Sequence, residues 1–465
     1  MTPLAVATKI KLELAANKIP FGAVLEGNRD DKKPENNTSK IYWTVKLHKL
    51  NNAGEQTFPA RFIISGSKSP TASLSSLLSG ILVHMQSALD TIFSNVYAEA
   101  GVDASSSTIL NSSRDFLSVL DLFNTVTTVH ERRTTPPVLS TRDVTQMYTN
   151  IPIDDCVDKV SRIVKEVFEL KRAANNGERM AMCVTASKIT WVKAKDVWEE
   201  SYNRTGKLKN TLTNTYITFD GFKGHLKYLL ANLYFKFGEE VFRQIIGLPM
   251  GTNCAPQLAN FFMAYYELAY LRKLVTEYKI DRTAASRQRV ADFRYVKRYI
   301  DDIGAVNNLT FINNLGDVYP AYLRFTGSPG PTMNFLDITI RQSVAISRHL
   351  ETVLYDKRRE PAFARLKIKK YTHWSSAIPR TSKLGILKSQ FIRLGRITSN
   401  DVNYIDEAAE ICWNLVTESS FSRAAVARNL WRLMENNPYI RSHRKPRFVY
   451  RQVMTAWHAL DKKAR

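Results

Sequence analysis

An Asp-Asp pair lies between two short apolar runs in the second half of the chain. Residues 293–306 read FRYVKRYIDDIGAV, which predicts two β-strands joined by a tight turn at Asp301 and Asp302. Because successive side chains along a strand point to opposite faces, only the first of two adjacent carboxylates points squarely at a site on one face. Asp is common in hairpin turns, so the pair alone is more typical of a solvated turn than of a catalytic site.

A second acid, Asp143, lies at the end of another predicted strand, VLSTRDV at 138–144, and Tyr148 follows five positions later. Asp143 alone would equally suit a turn or a helix cap. Together, the two acidic sites have what two-metal phosphoryl transfer requires, because carboxylates must converge from separate strands on ions about 3.5–4 Å apart. Mg²⁺ prefers a few carboxylates plus phosphate oxygens to an all-protein cage.

A glycine-containing loop, GLPMGTNCAP at 247–256, precedes a helical pattern of apolar residues from Leu258 to Leu268. Glycine lets a backbone approach a substrate closely, and a helix N-terminus attracts phosphate. An ordinary helix entry has the same composition. The loop therefore supports a phosphoryl-transfer site without establishing one.

The rest of the chain mixes helical and strand patterns without a regular βαβ repeat, which indicates an α+β fold. A polar segment at 28–40 is typical of a linker. The other predicted elements are a hairpin over 41–65, a helix from Leu74 to Leu82, an amphipathic helix over 224–236 and a strand over 335–340.

Composition excludes several classes of protein. Hydrophobic residues make up 44% of the 465 residues, enough for a packed core, so the chain is not of the disordered class. Uninterrupted apolar runs fall short of the roughly 18 residues of a membrane span. Lys9, Lys11 and Glu13 lie where a signal peptide needs its apolar stretch. The four cysteines are scattered, which argues against a local zinc finger or a disulfide framework and favours a reducing compartment.

The net charge of +23 is concentrated near the C-terminus. Residues 357–400 carry 12 Lys and Arg with one acid, and residues 431–465 carry nine with two acids. Nucleic acid is the default partner of so basic a protein, and an anionic membrane surface is second. Large apolar residues such as Phe391, Trp413 and Trp431 interrupt the charges, so a folded module is expected here.

Seven motifs follow one another between about Ile41 and about Asn400. They are YWTVKLHK, RFIISGSKSPTASLSSLLSGIL, RDVTQMYTNIP, YFKFGEEVFRQIIGLPMGTNCAPQLANFFMAYYE, RYIDDIGAV, NFLDITI and YTHWSSAIPRTSKLGILKSQFIRLGRITS. In this order they resemble the catalytic core of reverse transcriptases, most closely those of Penelope-like retroelements, which are related to telomerase. GLPMGTNCAP followed by YIDD is the most specific combination.

The resemblance implies a right-hand polymerase with fingers, palm and thumb and an antiparallel palm sheet. Its parts would be an N-terminal extension and linker at 1–40, fingers at 41–140, a palm with finger insertions at 141–356, and a basic thumb with C-terminal extension at 357–465. The implied activity is that of an RNA-directed DNA polymerase, which adds dNTPs to a primer 3′-OH by two-metal phosphoryl transfer.

The same resemblance implies the metal site. Asp143 matches the first metal-binding carboxylate of the palm, and the backbone carbonyl of Val144 would join it. Asp301 and Asp302 match the carboxylates of the family's YxDD turn. The expected cofactor is a pair of Mg²⁺ ions, with Mn²⁺ as the alternative.

The nucleotide site is implied in the same way. Tyr148 matches the position whose ring packs under the sugar and excludes a 2′-OH, which favours dNTPs. Arg61 and Lys46 match finger residues that clamp the triphosphate, a task suited to a planar guanidinium. Met250 and Gly251 complete this set, although many reverse transcriptases have Gln in place of Met250 and Pro in place of Phe62.

The basic C-terminal region is expected to hold an RNA template paired with a DNA primer through phosphate contacts. No membrane partner is expected, and the sequence indicates no particular protein partner. The candidate nucleic-acid-binding residues are Lys357, Arg358, Lys367, Lys369, Lys370, Arg393 and Arg396.

Two alternatives remain open from the sequence: an RNA-templated RNA polymerase, and a catalytically inactive palm-fold protein that binds RNA. The GIY-YIG endonuclease motif that often accompanies the family is not found, so a form without endonuclease is expected. The run His443-Arg444-Lys445-Pro446-Arg447 suits a nuclear signal and phosphate contacts equally. An intracellular location is expected, nuclear or cytoplasmic, with the nucleus preferred.

Overall fold

The computed structural model describes residues 39–45, 60–66, 69–129, 137–196, 215–238, 240–343, 349–364, 368–436 and 446–463. Lys46, Lys367, His443-Arg444-Lys445 and the predicted linker up to residue 38 lie outside these ranges. The chain divides into two compact units. Unit 1 comprises Met1–Ile109, Arg142–Ile303 and Thr310–Thr326, and unit 2 comprises Leu110–Thr141, Gly304–Leu309 and Gly327–Arg465.

The described residues form both helices and strands. Up to residue 243 they are β1 (Ser39–Val45), β2 (Ala60–Ile64), α1 (Ala72–Ala98), α2 (Ser113–Val129), β3 (Leu139–Thr145), α3 (Met147–Asn150), α4 (Ile153–Ala173), β4 (Met180–Val184), β5 (Ile189–Lys193), β6 (Thr215–Ile217), α5 (Phe219–Ala231), β7 (Tyr234–Phe237) and β8 (Glu240–Arg243). After it they are α6 (Ala255–Asp281), α7 (Ala284–Phe293), β9 (Val296–Tyr299), β10 (Asp302–Val306), α8 (Leu309–Asn313), α9 (Leu315–Val318), β11 (Arg324–Thr326), β12 (Pro329–Gly330), β13 (Thr332–Phe335), β14 (Ile338–Gln342), β15 (Leu350–Leu354), α10 (Pro361–Ala364), α11 (Arg380–Ile397), α12 (Asp401–Thr417), α13 (Arg423–Asn436) and α14 (Pro446–Lys463).

Three sheets carry the described strands of unit 1. The first has the order β2-β1-β7-β8, and the second has the order β5-β4-β6. The third has the order β11-β3-β10-β9. Within unit 2, β12 pairs with Leu139 and Ser140, the first residues of β3. The predicted hairpins at 41–65 and 293–306 are confirmed as β1-β2 and β9-β10.

Helices α1, α4 and α6 pack against one another to form the core of unit 1. In α1, Leu74, Leu78, Ile81 and Leu82 recur at helical spacing and are buried, which confirms the predicted helix. Each fully buried side chain of this size contributes about 1.5–3 kcal/mol.

Among the described residues, α1 is also long and apolar enough to cross a membrane by length and composition. The mean hydropathy of its most apolar 18-residue window is 1.2, and 44% of that window is buried inside the protein. The core helix of a soluble protein passes the same test, so this observation is weak evidence for a membrane span.

Unit 2 combines the antiparallel sheet β13-β14-β15 with four long helices, α11 to α14. Helix α12 packs on α11, α13 and α14. Phe391 and Trp457 are completely buried. The large apolar residues of the basic C-terminal third therefore form a core, as the sequence predicts.

Three local predictions are wrong or incomplete. The helix expected over 224–236 begins earlier, because the Thr218 hydroxyl accepts a hydrogen bond from the Gly221 N–H and caps the helix at its N-terminus. It ends at Ala231, and YFKF forms β7, whose Phe235 stacks on Phe242 of β8.

The strand expected over 335–340 is a hairpin turn. Leu336 has a φ of 55°, which ends β13 at Phe335, and β14 starts at Ile338. The strand predicted over 138–144 extends one residue further, to Thr145, because it pairs with β11, so Asp143 lies within β3 and not at its end.

Candidate active site

Neighbouring strands bring Asp143 and Asp301 together from distant parts of the sequence. The Val144 N–H donates a hydrogen bond to the Asp301 carbonyl oxygen at 2.9 Å, which joins β3 directly to the turn between β9 and β10. Asp302 is the first residue of β10. All three carboxylate residues are half-buried, so a ligand in solution can reach them.

The turn that carries Asp301 has a constrained backbone. Ile300 has a φ of 57°, in the left-handed region. That conformation costs roughly 1–2 kcal/mol for a residue with a Cβ. Ile300 is branched at Cβ, which makes the conformation rarer still, and neighbouring contacts must hold the turn in place.

Tyr148 lies on the short helix α3, which follows β3 after Gln146 with a φ of 55°. Burial raises the pKa of the Tyr148 hydroxyl well above its ordinary value, and the Asp301 carboxylate raises it further, whereas Arg298 and Arg61 oppose the shift. The hydroxyl therefore stays protonated at neutral pH.

The loop Gly247–Gly251 contacts the backbone from Tyr148 to Ile151, which we call the Tyr148 turn. The Gly247 N–H donates to the Ile151 carbonyl at 2.9 Å, and the Leu248 N–H donates to the Tyr148 carbonyl at 2.6 Å. Gly247 has a φ of 85°. A Cβ at this position would lie 2.6 Å from the Tyr148 carbonyl oxygen, so a side chain cannot enter this contact.

The other end of the loop contacts β2. The Met250 carbonyl accepts a hydrogen bond from the Ile64 N–H at 2.8 Å. Gly251 has a φ of 100°, and a Cβ on it would overlap the Ile64 carbonyl oxygen. The backbone of the loop therefore connects the Tyr148 turn to the strand that carries Arg61.

Arg61 is exposed and lies opposite Thr44 across the β1-β2 pair. Alternation puts it on the same face of β2 as Ile63, whose side chain lies next to Gly251. The strand register adds further cations to this face, namely Lys40, Lys236 and Arg243.

Sequence reasoning missed these three cations. The alternation within YFKF and EVFR was visible, but the parallel pairing of β7 with β1 joins segments almost 200 residues apart and has no local signal. The opposite face of this sheet is exposed and aromatic, with Trp43, Phe62, Phe237 and Phe242.

The donor set suits a hard divalent cation. Asp143, Asp301 and Asp302 supply carboxylate oxygens, and Val144 is directly bonded to the Asp301 turn. In the part of the chain that the structure describes, no group of three or more His, Cys, Asp or Glu side chains forms a preformed metal cluster. Mg²⁺ characteristically binds one or two carboxylates together with substrate phosphates, so the residues present fit that ion.

The candidate nucleic-acid-binding residues of unit 2 fall into two groups. Arg358 and Lys370 both bind the Asp356 carboxylate, Lys370 at 3.0 Å. Burial would raise the pKa of Asp356, but these two cations hold it well below its usual range. Lys357 and Lys369 are exposed.

Two arginines of α11 complete this set. Arg393 donates from Nε and Nη2 to the Asp337 carboxylate at 2.8 Å and 2.7 Å. Arg396 is exposed. The structure thus pairs part of the predicted phosphate-binding set with acids of the same unit, and it leaves Lys357 and Lys369 exposed.

Comparison with known proteins bears on the fold. No protein-family model matches the chain. No curated protein matches it. Among solved structures, telomerase from Candida albicans in complex with the TWJ fragment of telomeric RNA matches with a TM-score of 0.50 and 9% identity, over 90% of this chain and 63% of that one.

Telomerase from Candida tropicalis gives weaker matches. The apo structure matches with a TM-score of 0.40 and 11% identity, over 96% of this chain and 68% of the other. The complex of that telomerase with the TWJ fragment of telomeric RNA matches with a TM-score of 0.39 and 11% identity, over 92% of this chain and 55% of the other. This chain spans 63% of the Candida albicans telomerase chain, which is less than two thirds. The likeness to that structure shows that this chain has a telomerase-like fold of mixed helices and strands.

Proposed function

We propose that this protein is an RNA-directed DNA polymerase that adds dNTPs to a primer 3′-OH by two-metal phosphoryl transfer. The observation that carries the proposal is the hydrogen bond between the Val144 N–H and the Asp301 carbonyl, which brings the two acidic strands together. The telomerase-like fold supports it. The order of the motifs supports a Penelope-like reverse transcriptase with fingers, palm and thumb.

Asp143 and Asp301 would hold two Mg²⁺ ions together with the Val144 carbonyl, and Asp302 would add negative charge beside them. When bound, such ions lower the pKa of a hydroxyl nucleophile and stabilise the charge on the leaving pyrophosphate. The protein's own contribution is to hold the carboxylates on a rigid sheet, so that a primer 3′-OH and a triphosphate meet in line.

Tyr148 and Arg61 would select and hold the nucleotide. The Leu248 N–H and the close approach of Gly247 hold the backbone carbonyl of Tyr148. The Tyr148 ring would occupy the space that a 2′-OH needs. Arg61 would donate to the triphosphate from the basic face of its sheet. Lys40, Lys236 and Arg243 would increase the positive potential along that face.

Unit 2 would hold the template and primer. Phosphate contacts are independent of sequence, as a copying enzyme requires. Lys357 and Lys369 are exposed cations of the predicted set and the ones we assign to this contact.

Primer extension tests the proposal directly. The chain is supplied with a DNA primer on an RNA or a DNA template, Mg²⁺, and either dNTPs or ribonucleotides. We expect dNTP incorporation on the RNA template and its loss in Asp143→Asn and in Asp301→Ala. Asp103→Asn, which changes an exposed loop acid, is the matched control and keeps full activity.

Three outcomes contradict the proposal, each in a different way. Extension that survives Asp301→Ala refutes the site. Preferential incorporation of ribonucleotides indicates an RNA-templated RNA polymerase. Tight RNA binding without incorporation from either nucleotide pool indicates an inactive palm-fold RNA-binding protein.

A further inference from the structure

A buried ion pair lies beneath the Asp301 turn. Arg298 of β9 is 0% exposed, and Glu267 of α6 is 1% exposed. The Arg298 Nε donates to Glu267 Oε1 at 2.5 Å, and its Nη2 donates to Oε2 at 3.0 Å. This is a bidentate pair, the geometry in which Arg and a carboxylate bind most strongly and most specifically.

The same guanidinium also reaches the turn. Its Nη1 donates to the Ile300 carbonyl oxygen at 3.0 Å and to the Asn260 Oδ1 at 2.9 Å. Ile300 is the residue with the left-handed backbone. Arg298 therefore connects helix α6 to the one peptide of the turn whose orientation is unfavourable by itself.

Glu267 is in turn held in a fixed position. Its carboxylate accepts hydrogen bonds from the Thr108 hydroxyl and from the Tyr319 hydroxyl, the latter at 2.8 Å. Burial would lower the pKa of Arg298, but Glu267 raises it, so the guanidinium stays charged. A buried ion pair contributes little net stability relative to apolar residues of similar size, so stability alone does not account for this one.

Two hydrogen bonds restrict the backbone on either side of Asp301. The peptide before it is held by Arg298 through the Ile300 carbonyl, and the peptide after it is held by Val144 through the Asp301 carbonyl. With both flanking peptides fixed, φ and ψ of Asp301 are fixed too, and the direction of its Cβ follows. We propose that Arg298 and Glu267 are positioning residues that aim the Asp301 carboxylate toward Asp143.

The proposal rests on the proposed function, and Lys297 provides its internal comparison. Lys297 is the preceding residue on β9 and is 4% exposed. Its Nζ donates to the Ser106 hydroxyl at 2.9 Å and to the Ser107 carbonyl at 2.6 Å, in a loop that precedes α2. Two adjacent buried cations thus bind different segments of the chain. Lys297 binds the loop at Ser106 and Ser107, whereas Arg298 binds the turn through the Ile300 carbonyl.

The test compares Arg298→Lys with Lys297→Met. Lysine keeps the charge opposite Glu267 but lacks the planar fork, so it cannot bind Glu267 and the Ile300 carbonyl together. In primer extension, we expect kcat of Arg298→Lys to fall about 10- to 100-fold, the loss typical of a misplaced catalytic group, with KM for the dNTP nearly unchanged. Lys297→Met is expected to lower the Tm at least as much and to leave kcat of the folded protein unchanged.

A second readout does not depend on catalysis. Binding of Mn²⁺ to the substrate-free protein is titrated by electron paramagnetic resonance, with Asp301→Asn as the reference for a lost ligand. We expect Arg298→Lys to weaken Mn²⁺ binding and Lys297→Met to leave it unchanged. Should Arg298→Lys fail to fold, Glu267→Gln replaces it, because it keeps the size of the side chain and removes one acceptor.

The outcomes separate the two proposals. A wild-type chain that binds Mn²⁺ but extends no primer refutes the polymerase, and the Mn²⁺ titration still decides the positioning role. A wild-type chain that extends primers, with Arg298→Lys equal to it in kcat and Mn²⁺ affinity, refutes the positioning role alone. Equal fractional losses in Arg298→Lys and Lys297→Met indicate a structural role and overturn the inference. A wild type that neither extends primers nor binds Mn²⁺ overturns both.

Discussion

A Cβ on Gly247 would lie 2.6 Å from the carbonyl oxygen of Tyr148, so these two residues meet backbone to backbone. The contact joins the loop Gly247–Gly251 to the turn that carries the candidate sugar-contacting ring. It explains why the loop needs glycine here: the φ of 85° and the close approach both exclude a side chain. The loop thereby supports the nucleotide site through its backbone.

Replacing this glycine is expected to damage both folding and nucleotide binding. Gly247→Ala should lower the free energy of unfolding by about 1–3 kcal/mol, because it adds a strained φ and a clash with the Tyr148 carbonyl. It should also raise KM for dNTPs by displacing the ring. The control is Gly224→Ala, at an exposed position in α5 with nothing within 4 Å, where alanine should stabilise the helix. Equal stability of the two variants would contradict the packing described.

Tyr148 is expected to discriminate by the size of its ring. In Tyr148→Ala the space for a 2′-OH opens, so the ratio of kcat/KM for a dNTP to that for the matching ribonucleotide should fall about 10-fold or more. Tyr148→Phe keeps the ring and should keep the ratio. The measurement is single-nucleotide incorporation with each substrate in turn. An unchanged ratio in Tyr148→Ala would refute the steric role.

Local patterns predicted only part of this structure. The β1-β2 and β9-β10 hairpins and helix α1 follow from alternation and helical spacing within one segment. The sequence did not predict that YFKF pairs with β8, or that Leu336 adopts a left-handed turn, because both depend on partners and backbone strain outside the local pattern.

The sequence was least informative about which charged residues are buried and which can reach a ligand. Arg298 looks like any basic residue in a strand, yet it is completely buried against Glu267. Lys383 belongs to the basic run at 357–400, yet its Nζ donates to the Trp374 and Ser376 carbonyls at 2.5 Å and 2.6 Å inside unit 2. Composition records how many charges exist, whereas burial decides which of them face a ligand. The prediction of the three acids rests instead on the order of the motifs, which, unlike charge, carries information about topology.

Surface and paired cations of unit 2 are expected to respond differently to removal. Lys357→Ala and Lys369→Ala should each make the plot of log affinity against log salt concentration shallower by about 0.7–0.9, the value for one phosphate contact. Arg393→Ala should lower the Tm slightly, because its exposed pair with Asp337 is worth at most about 1 kcal/mol, and should change the slope less. Fluorescence anisotropy with an RNA–DNA duplex measures the slope. A larger slope change in Arg393→Ala than in the lysine variants would contradict the assignment.

Lys297 should make the stability of the protein rise with pH in the alkaline range. Burial lowers the pKa of Lys297 to about 8, from an ordinary 10.5. Between these two values the unfolded chain binds more protons at this site than the folded one, so the contribution of Lys297 to the free energy of unfolding increases with pH across that window. Above about pH 10 the buried tyrosines act in the opposite direction, because burial raises the pKa of residues such as Tyr97 and Tyr148, and the unfolded chain then loses protons first.

Chemical denaturation at pH 8, 9 and 10 measures the effect, with Lys297→Met as the reference from which this contribution is removed. A constant difference in stability between wild type and Lys297→Met across that range would show that Lys297 is not desolvated as its contacts with Ser106 and Ser107 imply.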